Sequence, residues 1–351
     1  MRRPNRRGAR AVLRIVLPGC AVLCLATCRQ TAPVARRDGG TAPAASGAGL
    51  SPIAARAWLQ DDTLPQGLDP LPGGAREPPL VVLERGAEAR ELRLAPPADS
   101  RQKLDLRLEQ TVEETVDGAA QRTDFAARVV LEFAATEMTT DGGVRGTLRI
   151  AAATLEGEPS VPDATALRKA VGALAGAAAD VQFGPFGDLL RADWKLPEAW
   201  SAEMRDAARR VTDAVELATV PLPPQPVGAG GRWGREFRSG PDSGLDATTR
   251  ERFLLETFDG RRGRLLGRTH TWAGEQEQRP PAGATGVQVR LLELDLRDST
   301  ELLFELGRAL PLQGRRTLTS IQRRRHTAVD HTELRETRTR TVIEIEPAGA
   351  E

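Results

Sequence analysis

His270, His326 and His331 are the three imidazoles of the chain. Two of them sit close together, in His326-Thr327-Ala328-Val329-Asp330-His331, with a carboxylate between them. Gathered at a hairpin tip, such a set could hold a divalent metal. An exposed polar turn asks for the same residue types and is the simpler expectation, so no metal site is assigned. Cys20, Cys24 and Cys28 are the three cysteines, and none follows in the rest of the chain. The body therefore has neither a thiolate cluster nor a disulfide framework. Gly240-Pro241-Asp242-Ser243-Gly244 carries a serine between glycines, but not at the spacing of a nucleophile elbow, and reads as a loop. Gly228-Ala229-Gly230-Gly231 lacks the strand–loop–helix setting and the closing Lys-Ser/Thr of a phosphate loop. The acid pairs Glu113-Glu114 and Asp61-Asp62 have no partner that marks a shared buried site for proton transfer. No catalytic residues and no cofactor are expected, and the chain reads as a non-enzyme. Arg323-Arg324-Arg325 is the one basic run of the body; it fits either anionic headgroups or a solvated strand end.

Charge and composition narrow the partners. The chain has 351 residues and a net charge of +1. Arg2, Arg3, Arg6, Arg7, Arg10 and Arg14 supply six positive charges before Cys28, with no acid among them; without them, 43 basic residues face 48 acidic ones, a balance of −5. A mildly acidic body with 4% aromatics and no Tyr suits neither phosphate tracking nor base stacking, so no nucleic acid is expected.

The N-terminus has the layout of an export signal: a basic start, then a largely apolar run from Ala11 to Ala26, too short and broken for a membrane span. Leu25-Ala26-Thr27-Cys28 resembles the bacterial lipobox, with Thr27 where that pattern prefers Gly, Ala or Ser. The resemblance implies lipidation of Cys28 and an acyl anchor, each buried CH₂ contributing about 0.8 kcal/mol. A plain cleaved secretory signal is the alternative. Arg29, and not Asp, follows Cys28, which points to a periplasm-facing outer-membrane lipoprotein.

The expected organisation is a signal peptide over 1–28, a flexible Ala/Pro/Gly-rich tether over 29–79, and a single β-rich domain over 80–347. Within 53–60 the segment IAARAWLQ suggests at most one short helix. Leu104, Leu106 and Leu108 alternate with Lys103, Asp105, Arg107 and Glu109, which is a strand with one dry face. Phe125, Ala127, Val129, Leu131 and Phe133 form a second dry face, and Val144, Gly146, Leu148, Ile150 and Ala152 a third. Turns are expected at Asp117-Gly118-Ala119-Ala120 and Asp141-Gly142-Gly143, giving an antiparallel meander. The period then changes: helices are expected over 163–179 and 197–220, the second opened by Pro197 and stopped by Pro221-Leu222-Pro223-Pro224. Further strands are expected over 234–238, 248–258, 263–272, 287–296, 315–325 and 332–346. The fold class expected is mainly β with two central helices (α+β): a curved antiparallel sheet or open half-barrel with a helical lid.

Residues 221–233, PLPPQPVGAGGRW, resemble a motif of an uncharacterised bacterial lipoprotein family, a PLPxxPVGxGxxW segment that follows a helix. Pro221, Pro223, Pro226, Gly228, Gly230 and Trp233 carry the likeness. They also have a structural reading: prolines end the helix, glycines permit close backbone approach, and Trp233 fills the core. The element order is similar to that of the LolA/LolB-type envelope carriers, whose open barrel holds a lipid under a helical lid. These likenesses imply a non-catalytic envelope lipoprotein that binds a lipid or other apolar ligand in a curved sheet. The second reading is a structural or partner-binding module tethered to the membrane, docking on another envelope protein.

Overall fold

The computed structural model describes residues 52–72, 77–160, 164–197, 200, 205, 213–240, 244–278, 286–328 and 331–348. Alternation of dry and wet residues becomes long strands. In β4 (Arg101–Val116) Leu104, Leu106, Gln110 and Val112 are buried, while Arg101, Lys103 and Arg107 are exposed. Asp117 and Gly118 lie at φ 47° and 88°, the left-handed pair that a two-residue hairpin turn requires, and bring Ala119 opposite Val116. β5 (Ala119–Met138) and β6 (Val144–Glu156) follow. A bulge in β6 opposite Val130 and Leu131 turns Ala152 outward and buries Ala153. The expected dry face therefore ends at Ile150, because one extra residue flips the pleat.

Next come β7 (Ala178–Phe183) and β8 (Leu189–Lys195), and the meander β4–β5–β6–β7–β8 is antiparallel throughout. A second meander runs through β10 (Arg232–Ser239), β11 (Ala247–Phe258), β12 (Arg262–Ala273), β14 (Gln288–Glu305), β15 (Gln313–Thr327) and β16 (Thr332–Pro347). β16 pairs with β4 along nearly its full length, so the two meanders make one sheet. β2 (Val81–Glu84) and β13 (Gln276–Gln278) join it at the side, and β1 (Pro70–Leu71) adds a parallel pairing to β10. The sheet is thus mixed, not purely antiparallel. It is not closed into a barrel: β8 ends one side of the path and β1 the other.

One face of this sheet encloses one core. Phe133 and Phe183 from the first meander and Trp233, Phe253, Leu255, Leu265 and Phe304 from the second belong to the same buried cluster. A continuous sheet can bring both groups together on one face only by bending. Phe133 meets Phe183 edge-on at 5.4 Å, and Trp233 stacks on Phe253 at 6.0 Å. The open side is bridged by extended chain. The Leu94 amide donates to the Pro185 carbonyl (2.8 Å), the Ala95 amide to Leu306 (2.7 Å) and the Leu222 amide to Phe186 (3.0 Å). Leu92, Leu94, Val220 and Leu222 fill the interior behind these bonds.

The helices differ from the sequence expectation. α2 spans Ala164–Gly172, and the last two residues of the expected helix 163–179 open β7 (Ala178–Phe183) instead. Gly176 at φ 90° ends the helical path, and Ala179, Val181 and Phe183 then alternate into the core. Of the expected helix 197–220, residues 205 and 213–217 are helical, and most of 198–212 lie outside the described residues. Ala214, Val215 and Ala218 are buried in the core, so this stretch is part of the packing. Arg316 of β15 binds the Leu217 carbonyl and the Asp298 carboxylate of β14, tying the stretch to the sheet. Burial pushes the Asp298 carboxyl up, and Arg316 opposes that shift.

Part of the stretch expected as a tether, 29–79, is folded. α1 (Pro52–Gln60) and the chain to residue 72 lie against the sheet, whereas 29–51 fall outside the described residues. Ala55 and Leu59, one helical turn apart, are buried together with Leu254 on the face of β11 opposite the main core.

Candidate functional site

Outer-face chemistry begins with α1 and the residues after it. Trp58 is flanked by the guanidinium groups of Arg232 (5.0 Å) and Arg252 (5.1 Å). Arg252 donates to the Trp58 and Asp61 carbonyls and to the Asp61 carboxylate at 2.9 Å. Hydrogen bonds from Thr63 and then from Arg252 hold the Asp61 carboxyl far below its ordinary value. His270 lies between the Asp62 carbonyl (3.0 Å) and the Asp295 carboxylate (3.1 Å), and Arg297 bridges Asp62 and Asp295. A His–Asp pair of this kind orients a base where a nucleophile lies beside it. Here the imidazole is instead held at both nitrogens, and the group works as a staple for residues 58–63.

The chain leaves the staple at Thr63 and runs along a hollow of about 610 Å³ on the outer face. The loop Thr63–Leu68 lies on one side, with Arg238, Asp246, Thr248, Trp272 and Gln276 on the other. Trp272 is 44% exposed, an unusual state for an indole. Arg238 forms two hydrogen bonds to Asp246 (2.7 Å each), which holds that carboxyl below its usual range. Gln276 exchanges a pair of hydrogen bonds with the Asp246 backbone, each at 2.8 Å, and so fixes the hollow's floor. An exposed ring beside an already paired polar floor suits noncovalent binding through apolar contact.

The proline–glycine segment forms a bracket. Val227–Ala229 is β9, paired with β3 (Ala87–Arg90) in a two-stranded sheet of their own. The backbones approach so closely that a Cβ on Gly228 would lie 1.7 Å from the Ala87 carbonyl oxygen. The Trp233 indole donates to the Pro221 carbonyl at 3.0 Å and is completely buried. Pro223 is buried, Pro226 is exposed, and Gly230 sits at φ 78° with its amide bonded to Leu255. Each contact binds the segment to its own fold, and none faces the hollow beside Trp272.

The remaining sequence candidates are dispersed. Cys28 and Asp330 lie outside the described residues. His326 is half-buried on the core side of β15, opposite Glu333, whereas His331 is exposed near Asp117 at 3.9 Å. Among the described residues, no three His, Cys, Asp or Glu side chains are grouped to hold a metal ion. Ser243 also falls outside those residues, and Gly244 at φ 86° opens the approach to β11. The basic run is split by the pleat: Arg323 binds Glu293 (2.6 Å) and Glu336 (2.7 Å), Arg325 is exposed, and Arg324 turns to the core side. Sequence reasoning missed the Trp58 staple and the hollow beside Trp272. Ala55 and Leu59 at helical spacing, with Trp58 beside them, were the available signal. Among the described residues no helix is long and apolar enough to cross a membrane. No protein-family model matches the chain, and no curated protein matches it.

Proposed function

We propose that this chain is an exported, non-catalytic envelope lipoprotein whose folded part docks on a partner through its outer face. The N-terminal layout and the lipobox likeness ending at Cys28 support export and anchoring. The likeness of the 221–233 segment to a lipoprotein family agrees with this. The observation that carries the docking reading is the contrast in free space. The inside of the curved sheet is occupied by Trp233, Phe133, Phe183, Phe304 and the leucines around them, whereas the hollow of about 610 Å³ opens outward beside Trp272. An apolar carrier needs the reverse arrangement. Exposed tryptophans in pockets with fixed polar neighbours are typical anchors of protein interfaces.

A photo-reactive amino acid placed at Trp272 in the membrane-anchored chain, with a second at Leu334 as control, tests the reading in intact cells. Docking predicts one discrete envelope adduct from position 272 and none from 334. Equal, diffuse labelling from both positions would count against it. So would stoichiometric labelling of lipid from position 272, which would favour a carrier of apolar ligands.

A further inference from the structure

Along the core-side face of β15, Ser320 and Gln322 are buried, and Arg324 and His326 follow them toward the β15–β16 hairpin. The pleat sends all four side chains to the same side. In register, Arg324 stands between Leu291 of β14 and Arg335 of β16, and His326 stands between Val289 and Glu333. Leu291 and Val289 are buried, so this end of the trough has an apolar wall.

The charges here are shared unevenly. Arg335 takes both nearby carboxylates, Glu114 at 3.1 Å and Glu333 at 2.7 Å. Arg324 has none. Its Nε is shielded from solvent with no hydrogen-bond partner, and the same holds for Nε2 of His326, two residues along the same face. Burial, and then the like charge of Arg335, work against the charged form of Arg324. Burial followed by Arg335 also keeps His326 below its usual value and hence neutral at pH 7. Two adjacent buried nitrogens without partners are costly and call for an explanation. Both can donate, the guanidinium as a fork and the neutral imidazole through Nε2–H in the matching tautomer.

We propose that Arg324 and His326 form a binding site for a phosphate group, with one oxygen taken by the Arg324 fork and a neighbouring oxygen by His326 Nε2. A monoanionic phosphate fits best, since it supplies the one charge Arg324 lacks without crowding Glu114 and Glu333. Inorganic phosphate and the phosphodiester of a lipid headgroup share this chemistry. The site lies on the face opposite the hollow beside Trp272 and is independent of it.

The test is a titration of the full chain in a maltoside detergent, followed by nitrogen NMR of its histidine side chains; the three histidines are separable by substitution. One arm adds inorganic phosphate at pH 6, and the other adds micelles doped with phosphatidylglycerol. We expect a saturable shift of His326, with His270 and His331 unmoved. Arg324→Gln should weaken it by about tenfold or more, since a charge-assisted bond is lost; Arg324→Lys should weaken it less. Arg325→Gln, on the opposite face, should leave it unchanged. Saturation by phosphate alone assigns a free phosphate, and saturation by doped micelles alone assigns a headgroup. No saturable shift in either arm would overturn the proposal. So would equal losses from Arg324→Gln and Arg325→Gln.

Discussion

The same four strands, β14, β15, β16 and β4, build two different interiors along their length. At one end Leu302, Ile343, Ile345, Leu104 and Leu106 point inward and are sealed in the core. At the other end β14 keeps Leu296, Leu294, Leu291 and Val289 inward, but the facing positions of β15, β16 and β4 carry Ser320, Gln322, Arg324, His326, Thr341 and Gln110. Pleating selects which residues face inward, but it does not make them apolar. At the polar end buried groups are paired across strands, as with Gln110 and Thr341 at 3.1 Å and, in β11 and β12, Thr249 and Thr271 at 3.0 Å. The apolar end thus carries stability, and the polar end is where, among the described residues, the fold leaves Arg324 Nε and His326 Nε2 without partners.

Substitutions should separate the two ends by size of effect. Trp233→Ala empties the centre of the apolar end and breaks the indole bond to Pro221; it should cost about 3–5 kcal/mol, read by chemical denaturation. A loss under about 1 kcal/mol would mean that the core is not built around this ring. Asp298→Ala lies at the border between the ends and strands the Arg316 guanidinium. About 3 kcal/mol should go, with faster hydrogen exchange at 213–220 as the local signature. Arg324→Gln removes no ion pair, and its effect on unfolding should stay within about 0.5 kcal/mol. A larger loss would mean that the polar end is also structural cement.

On the outer face the expected effects are smaller and depend on pH. Asp246, held low by Arg238, has a folded-state pKa below its unfolded one. Its contribution is therefore complete above the unfolded value near 4 and is lost as pH falls below that. Thermal unfolding should show native protein slightly more stable than Asp246→Asn at pH 7, by under about 1 kcal/mol, with the gap closing in acid. A gap that widened on acidification would reverse the assigned sign.

How much of this could be read from the sequence follows from the range of each interaction. Strands β4, β5, β12, β15 and β16 were legible because alternation is local. So were the turns at Asp141-Gly142-Gly143 and at Asp117-Gly118, where backbone geometry demands glycine or a tolerant residue, although Ala119 and Ala120 of the expected turn already belong to β5. The start of β7 was absorbed into a helix expectation because Ala177, Ala178 and Ala179 favour helix locally, and only pairing with β6 overrides them. The short strands β2, β3 and β9 were missed because each exists only through a distant partner. The docking of α1 hid behind a Pro/Gly-rich setting, since Arg252, His270 and Arg297 lie roughly two hundred residues away in sequence. Neither the sheet's bend nor the uneven sharing of carboxylates around Arg335 leaves a mark in the sequence, since both need three strands placed side by side.

Whether the curved sheet is filled or hollow is best measured by native mass spectrometry of the full chain, taken from membranes in mild detergent. The filled-core account predicts the mass of the covalent polypeptide alone, with no apolar ligand retained after the detergent is stripped. A stoichiometric lipid that stays bound, and is lost in a Trp233→Ala variant that still folds, would contradict it.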